Sequence, residues 1–444
     1  MDPHTARPIE ATKRDYLFAY GDQLAFQLNL DIQDVGEGDL QALSVLAHLL
    51  NDFQAGDIPI GGEKTSGFGW VKAHVTGLSW LSATPDGVGG KLLGKQTLSR
   101  DGIWHRLALD GEAATAALRG QAVQLSGAAT QAQGVKTPPR ARGGFISHRA
   151  FGGFCGTLAV EAEALTPLHV RESGEPSFRT ILDGGIVNGW DAFAMAPAEA
   201  ALRPETRLYA LPPRSIKGLL RHMYAIASDA RIISSDVEHL NPADSLFGWV
   251  GNGPNQAIMG RLAFSFAPFE AAELAWFKTP YPYGGWAFAG GAWRQGTVKG
   301  VPQLQIAKTW RLFPHAPLAP LVQRLDAFAP DTAQASYCRA ILPPARARFG
   351  IRFWNLEREE LQRLIWCVAL EPHLAHKLGH HRYVGFGSLR LRVLPESALV
   401  DWNKRYAGAP ASAWRVPLQV EEWREPKVIA HYSDLQKALD ARAL

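Results

Sequence analysis

The chain has 444 residues, 46% of them hydrophobic, with a formal net charge of +4, length enough for two domains and a large core. Its sequence pI of about 8.9 is compatible with a polyanionic partner without demonstrating one. Cys155, Cys338 and Cys367 are far apart and form no CxxC pair, so their spacing encodes neither a disulfide framework nor a structural zinc site. The N-terminus has no apolar signal core and no window is apolar enough to span a bilayer, so the expectation is a cytoplasmic protein with no membrane partner.

Leu24, Phe26, Leu28, Leu30 and Ile32 alternate with Ala25, Gln27, Asn29 and Asp31, which predicts a half-buried strand. Leu43, Leu46, Ala47 and Leu50 recur at helical spacing and predict a helix over Leu40–Phe53. A glycine loop follows, and Val71, Ala73 and Val75 predict a second strand. Residues 1–79 therefore read as strand–helix–glycine loop–strand, half of a βαββαβ unit. Residues 80–145 read as an insert or connector, with short β-like pieces at Ile103–Leu109 and Ala122–Leu125.

Residues 146–398 read as a second module. Leu158, Val160 and Ala162 alternate as a strand that leads into Leu165-Thr-Pro-Leu-His-Val170. A polar loop runs to about Arg207 and offers Glu172, Glu175, Asp183 and Asp191. In Pro212-Pro-Arg-Ser-Ile-Lys-Gly-Leu-Leu-Arg221 the prolines end an extended segment, Ser215 is placed to cap a helix, and Ile216, Leu220 and Met223 form its inner stripe. Arg214, Lys217 and Arg221 crowd a helix start, where free N–H groups and the dipole favour an anion. Gly260–Phe266 and the run Phe349, Ile351, Phe353 predict further strands, and Leu356–Leu370 a helix. Tyr281–Trp310 reads as a long loop. Its Trp286, Trp293 and Trp310, with Arg294, Lys299, Lys308 and Arg311, suit either stacking on splayed bases or packing against a neighbour. Residues 399–444 form a polar tail with a short helix predicted at Ser433–Ala443.

The most informative stretch is Ala375–Val393. Gly379, Gly385 and Gly387 punctuate a turn that also carries His376, Lys377, His380, His381 and Arg382, and amide donors with side-chain cations suit phosphate oxygens. The histidines, with His373, have no carboxylate or cysteine at useful spacing, so no metal is assigned to them. A near copy lies at Gly61–Val71. Gly61 and Gly379 are 318 apart (379 − 61), as are Gly67 and Gly385 (385 − 67) and Lys64 and Arg382 (382 − 64). The same offset maps Leu43, Leu46, Ala47 and Leu50 onto Leu361, Leu364, Ile365 and Val368, so helix and loop repeat together without a gap.

These motifs resemble the RAMP superfamily (repeat-associated mysterious proteins), the RNA-binding subunits of CRISPR effectors. The loop is similar to that family's glycine-rich loop, and Pro-Pro-Arg-Ser-Ile-Lys-Gly to its Pro-Gly-Ser-Ser-Leu-Lys-Gly helix start. Leu246-Phe-Gly248 followed by Gly260-Arg-Leu-Ala-Phe264 is similar to its Leu-Phe-Gly…Gly-Arg-Leu-x-Phe element. With Leu165-Thr-Pro-Leu-His-Val170, which looks like the family's first strand-to-loop segment, four motifs cover roughly 156–393, a fifth covers the N-terminal module, and Asn355–Val393 looks most like type III backbone subunits. The resemblance implies an α+β chain of ferredoxin-like (RRM-like) modules, antiparallel sheets with helices on one face, one module partial. It implies binding of CRISPR guide RNA, complementary target RNA and other RAMP subunits. RNA contact falls on Lys64, Gly67 and Gly69; on Arg214, Ser215, Lys217, Gly218 and Arg221; on Trp310 and Arg311; and on His376, Lys377, Gly379, His381, Arg382, Gly385 and Gly387. Some relatives cleave target RNA with a loop acid and a divalent metal, which would make Asp183 or Asp191 catalytic with Mg2+. The single serine–lysine–glycine helix start leaves the first module incomplete. A guide-processing endoribonuclease and a structural bridge without RNA contact stand as alternatives.

Overall fold

Two-residue alternation of apolar and charged side chains builds the main sheet, and helices carry the three- and four-residue stripes. The computed structural model describes residues 25–30, 40–61, 69–82, 99–101, 104–117, 137–172, 176–195, 207–253, 256–280, 286–295, 304–406 and 411–444. Two units emerge. One draws on residues 25–136 and 398–417, the other on 137–397 and 418–444. The tail is thus divided between the units, where the sequence reading kept 399–444 as one segment.

In the smaller unit, α1 (Leu40–Gln54) buries Ala47. Strands β1 (Gly77–Ser82), β2 (Ser99–Asp101) and β3 (Trp104–Asp110) form an antiparallel sheet in the order β1-β3-β2. Arg405 ties the 398–417 segment to the end of α1, with Nη2 2.6 Å from Asp52, while the Tyr406 hydroxyl donates to Asp52 at 3.0 Å. Both flanking strands expected here are corrected. Residues 25–30 are coil with Phe26, Leu28 and Leu30 exposed, and 70–76 are also coil, the strand beginning only at Gly77. Alternation provides an apolar face but no partner ladder, and among the described residues neither segment is part of a β-ladder.

The larger unit contains β4 (Phe154–Ala164), β5 (Phe178–Leu182), β6 (Gly185–Trp190), α2 (Pro213–Ala227), β7 (Leu262–Phe264), β8 (Leu274–Pro280), β9 (Gln323–Leu325), β10 (Ala335–Ile341), β11 (Arg346–Leu356), α3 (Arg358–Val368), β12 (His376–Lys377), β13 (Ser388–Val393) and α4 (Tyr432–Ala438). Its main sheet has the order β7-β11-β4-β13-β12 with antiparallel neighbours. Leu158 faces Ile351, Val160 faces Phe349 and Ala162 faces Ala347, all buried; large side chains of this kind stabilise by about 1.5–3 kcal/mol each. Glu161 and Glu163 alternate to the other face, where Arg348 and Arg392 meet them at 3.6 and 2.9 Å respectively. The second sheet runs β9-β8-β10-β6-β5, with β10 and β6 parallel.

Beside the main sheet, the buried Arg261 ties β11 to α3. Its guanidinium donates to both Glu360 oxygens at 2.7 and 2.6 Å and to the Asn355 carbonyl at 2.7 Å. Glu360 also accepts the Glu357 amide at 2.9 Å, closing the start of α3. Within the expected loop the described residues form two hairpins: Trp286–Ala289 pairs with Ala292–Gln295, and Leu304–Ile306 with Trp310–Leu312.

Candidate nucleic-acid interface

The turn between β12 and β13 is closed by main chain. The Leu378 N–H donates to the Gly387 carbonyl at 2.8 Å. Gly387 has φ +78°, and a Cβ there would lie 2.0 Å from the Leu378 oxygen, so only glycine fits. In the other unit the Ile60 N–H donates to the Gly69 carbonyl at 2.8 Å, Gly69 has φ +79°, and its Cβ would lie 2.0 Å from the Ile60 oxygen. Ile60 and Leu378, Gly69 and Gly387, and the first residues of α1 and α3 are all 318 apart (378 − 60, 387 − 69, 358 − 40). The repeat read from glycine spacing is therefore a repeat of backbone geometry. Lys64 and Gly67 lie outside the described residues.

The cations of the C-terminal loop divide sharply. His376 and Lys377 are buried, which corrects their assignment to a surface contact. The Lys377 ammonium donates to the Phe386 carbonyl at 2.8 Å, and burial, then nearby Arg382, lowers its pKa to about 7. His376 donates through Nε2 to the Cys367 carbonyl at 2.8 Å. Gly379 and Gly385 abut the backbone oxygens of His169 and Pro317, so their role is close packing of the turn. Arg382 is half-buried with its guanidinium 4.7 Å above the Phe313 ring. His380 is exposed, as is Arg171, whose guanidinium stacks 4.1 Å from Trp190. Partial burial lowers the His380 pKa, and the charges of Arg171 and Arg382 lower it further, so a neutral imidazole stands near these two guanidinium groups. Arg171 was missed in the sequence because it follows the Leu-Thr-Pro-Leu-His-Val segment, 211 positions before Arg382 (382 − 171).

Helix α2 begins at Pro213, one turn earlier in role than expected: Pro212 is the N-cap, and no side chain caps the helix, so Ser215 is not the cap. Pro213 suits a first turn whose N–H groups lack intrahelical partners. Arg214 and Gly218 are exposed on that turn and Lys217 is half-buried, with no acid among them. Arg221 is corrected: it is ion-paired to Asp244, which also accepts from Ser234 at 2.6 Å and Asn241 at 2.8 Å. The carbonyl of exposed Arg311 lies 3.3 Å from His222 Nε2 on α2. Trp310 is buried against His431, and Trp293 donates to the Pro317 carbonyl at 2.9 Å, so both are packing residues and Trp310 is withdrawn as a base-stacking platform.

The two acids also part. Asp183 is exposed at the β5–β6 turn with φ 49°, followed by Gly184 at φ +77°. Phe178 anchors that hairpin on Trp276 and Phe328, whereas Ile181 is exposed. Asp191 is fully buried, which corrects its assignment to an RNA-facing site. Arg207 reaches it at 2.8 Å, the Tyr209 hydroxyl at 3.2 Å and Arg339 at 3.6 Å. Burial raises its pKa, opposed by Arg339 and Arg207.

No family model and no curated protein matches the chain. Solved structures similar to it include a chain of a Type IV-B CRISPR complex, at 15% identity and TM-score 0.27, with 54% of this chain and 90% of that one covered. Csc2 of Thermofilum pendens is similar at 13% identity and TM-score 0.28, with 65% and 82% covered. Overlaps that weak leave the role of the site to its own residues. Among the described residues no helix is long and apolar enough to cross a membrane.

Proposed function

We propose that this chain is a RAMP backbone subunit of a type III CRISPR effector that binds guide RNA beside other RAMP subunits. The observation that carries the reading is the duplicated helix and glycine hairpin, whose C-terminal copy sits among Arg171, His380 and Arg382. The helix–strand order of the larger unit, β4-α2-β7-β11-α3-β13, with β7-β11-β4-β13 side by side, fits a ferredoxin-like module. Exposed cations and an α2 start without a side-chain cap supply sequence-independent phosphate contacts. Asp183 is the acid we assign to target-RNA cleavage. Mg2+ is held through one or two carboxylates with water and phosphate oxygens, which a single exposed acid at a turn can satisfy. The Asp183 carboxylate would orient it toward the bound RNA.

The test is salt-dependent binding of guide RNA by the purified chain, wild type against Arg171→Ala/Arg382→Ala. Each lost phosphate contact on single-stranded RNA reduces the slope of log K against log salt by about 0.7. The double variant should bind all sequences more weakly, with a correspondingly shallower slope. Unchanged affinity and slope would reject the interface.

A further inference from the structure

Behind the glycine turn three side chains converge, one of them the His381 that the sequence assigned to RNA contact. His169 follows β4, Cys338 lies within β10, and His381 lies in the turn itself. One ligand atom from each lies within 4.8 Å of the other two. Their positions, 169 residues apart and then 43 (338 − 169, 381 − 338), hide the set from any spacing motif.

We propose that His169, Cys338 and His381 form a binding site for a zinc-class divalent cation that staples the glycine turn to the second sheet. Two imidazoles and one thiolate match the borderline-soft character of Zn2+, and three protein ligands leave one coordination position for water or a fourth side chain. His380, whose ring centroid is 5.9 Å from that of His169, is the nearby candidate for that position.

The outer hydrogen bonds set both histidines for the task. His169 Nδ1 lies 3.0 Å from the carbonyl of Arg339, the residue next to Cys338. That ring nitrogen donates, which leaves Nε2 with its lone pair. His381 Nδ1 lies 3.1 Å from Thr279 Oγ1, and the Thr279 hydroxyl donates to the Ser336 carbonyl at 3.3 Å. Thr279 therefore accepts from His381, and Nε2 is again the nitrogen that remains. A metal-ligating histidine characteristically donates its other ring N–H to such a partner. Backbone geometry adds to this: His381 has φ 55°, a conformation costly for a non-glycine residue and typical of ligand clamps.

The chemistry balances simply. Burial alone raises the Cys338 thiol pKa, so it is protonated before binding, whereas burial keeps both imidazoles neutral. Metal entry replaces the thiol proton, which leaves to solvent, and no redox change occurs. Bonds of the usual length put tetrahedral ligand atoms about 3.3–3.6 Å apart, so the cluster closes by about 1 Å on binding. The turn is already seated for this, because the His380 N–H donates to the His169 carbonyl at 2.8 Å.

The experiment is Co2+ titration of the full metal-free chain, read by absorption, with competition by Zn2+. The expected result is one Co2+ per chain, showing thiolate-to-metal charge transfer and the intense visible bands of four-coordinate Co2+, both displaced by one equivalent of Zn2+. Cys338→Ala should abolish the charge-transfer band and His169→Ala/His381→Ala should abolish binding, while Cys367→Ala retains both signals. Zn2+ should raise the Tm of wild type and not that of Cys338→Ala. Absence of the bands in wild type, their persistence in Cys338→Ala, or their loss in Cys367→Ala instead would overturn the site. Absence of the bands in wild type overturns the site whether or not the variants fold.

Discussion

The ammonium of Lys377 donates to the backbone carbonyl of Phe386 across the inside of the glycine turn, at 2.8 Å. The cation that looks most available in the sequence is thus consumed in holding the loop's own shape. Lys377→Ala leaves a buried carbonyl without its donor, a loss of about 1–3 kcal/mol. Denaturant unfolding should show that loss, while the salt slope of RNA binding stays at the wild-type value. A shallower slope would mean that Lys377 meets phosphate after all.

Glycine substitutions separate strain from collision. Gly184 and Gly387 both have φ near +78°, but a Cβ at Gly184 meets nothing within 4 Å, whereas one at Gly387 meets the Leu378 oxygen at 2.0 Å. Gly184→Ala should cost about 1–2 kcal/mol from backbone handedness alone. Gly387→Ala should lower Tm considerably further, and equal Tm values would contradict the close approach.

Target cleavage should depend on Asp183 and not on Asp191. In the assembled complex, Asp183→Ala is expected to abolish Mg2+-dependent scission at one target position while guide binding is retained. Asp191→Asn should instead lower thermal stability, because Arg207 loses a buried partner at 2.8 Å. A single-nucleotide ladder from a labelled target checks the first expectation, and calorimetry the second. Unaltered ladders in Asp183→Ala would make the subunit a scaffold.

Acid should unfold the larger unit. Burial is the main cause that lowers the pKa of His148 to about 4, His315 to about 3 and His376 to about 4. All lie below the unfolded value of about 6.5, so between about pH 6.5 and 4 the unfolded chain binds more protons. Stability therefore falls as the pH is lowered through that window. Unfolding midpoints at pH 7.0, 5.5 and 4.5 measure the slope, and His315→Gln should reduce it. A flat profile would contradict neutral burial of these rings.

Much of this architecture was legible from periodicity. The helix predicted at Leu40–Phe53 ends one residue later, at Gln54, and the alternation at Leu158–Ala162 lies within β4. What misled was exposure. Phe26, Leu28 and Leu30 have the pattern of a strand, yet a strand needs a neighbour's hydrogen bonds as well as a face. Likewise a charge in a motif carries no mark of its partner: Arg221 and Asp191 are committed to ions 23 and 16 residues away. Arg171 and the His169–Cys338–His381 group depend on strands brought together only by folding.

The paired hydrogen bonds of Ile60 with Gly69 and of Leu378 with Gly387 use main-chain atoms alone. A closure made of main-chain atoms does not depend on the side chains between, so its shape rests on the phase of the glycines. The repeat in such a chain is written as intervals between glycines and not as shared letters. The two halves of this molecule, still in step after 318 residues, retain that metre.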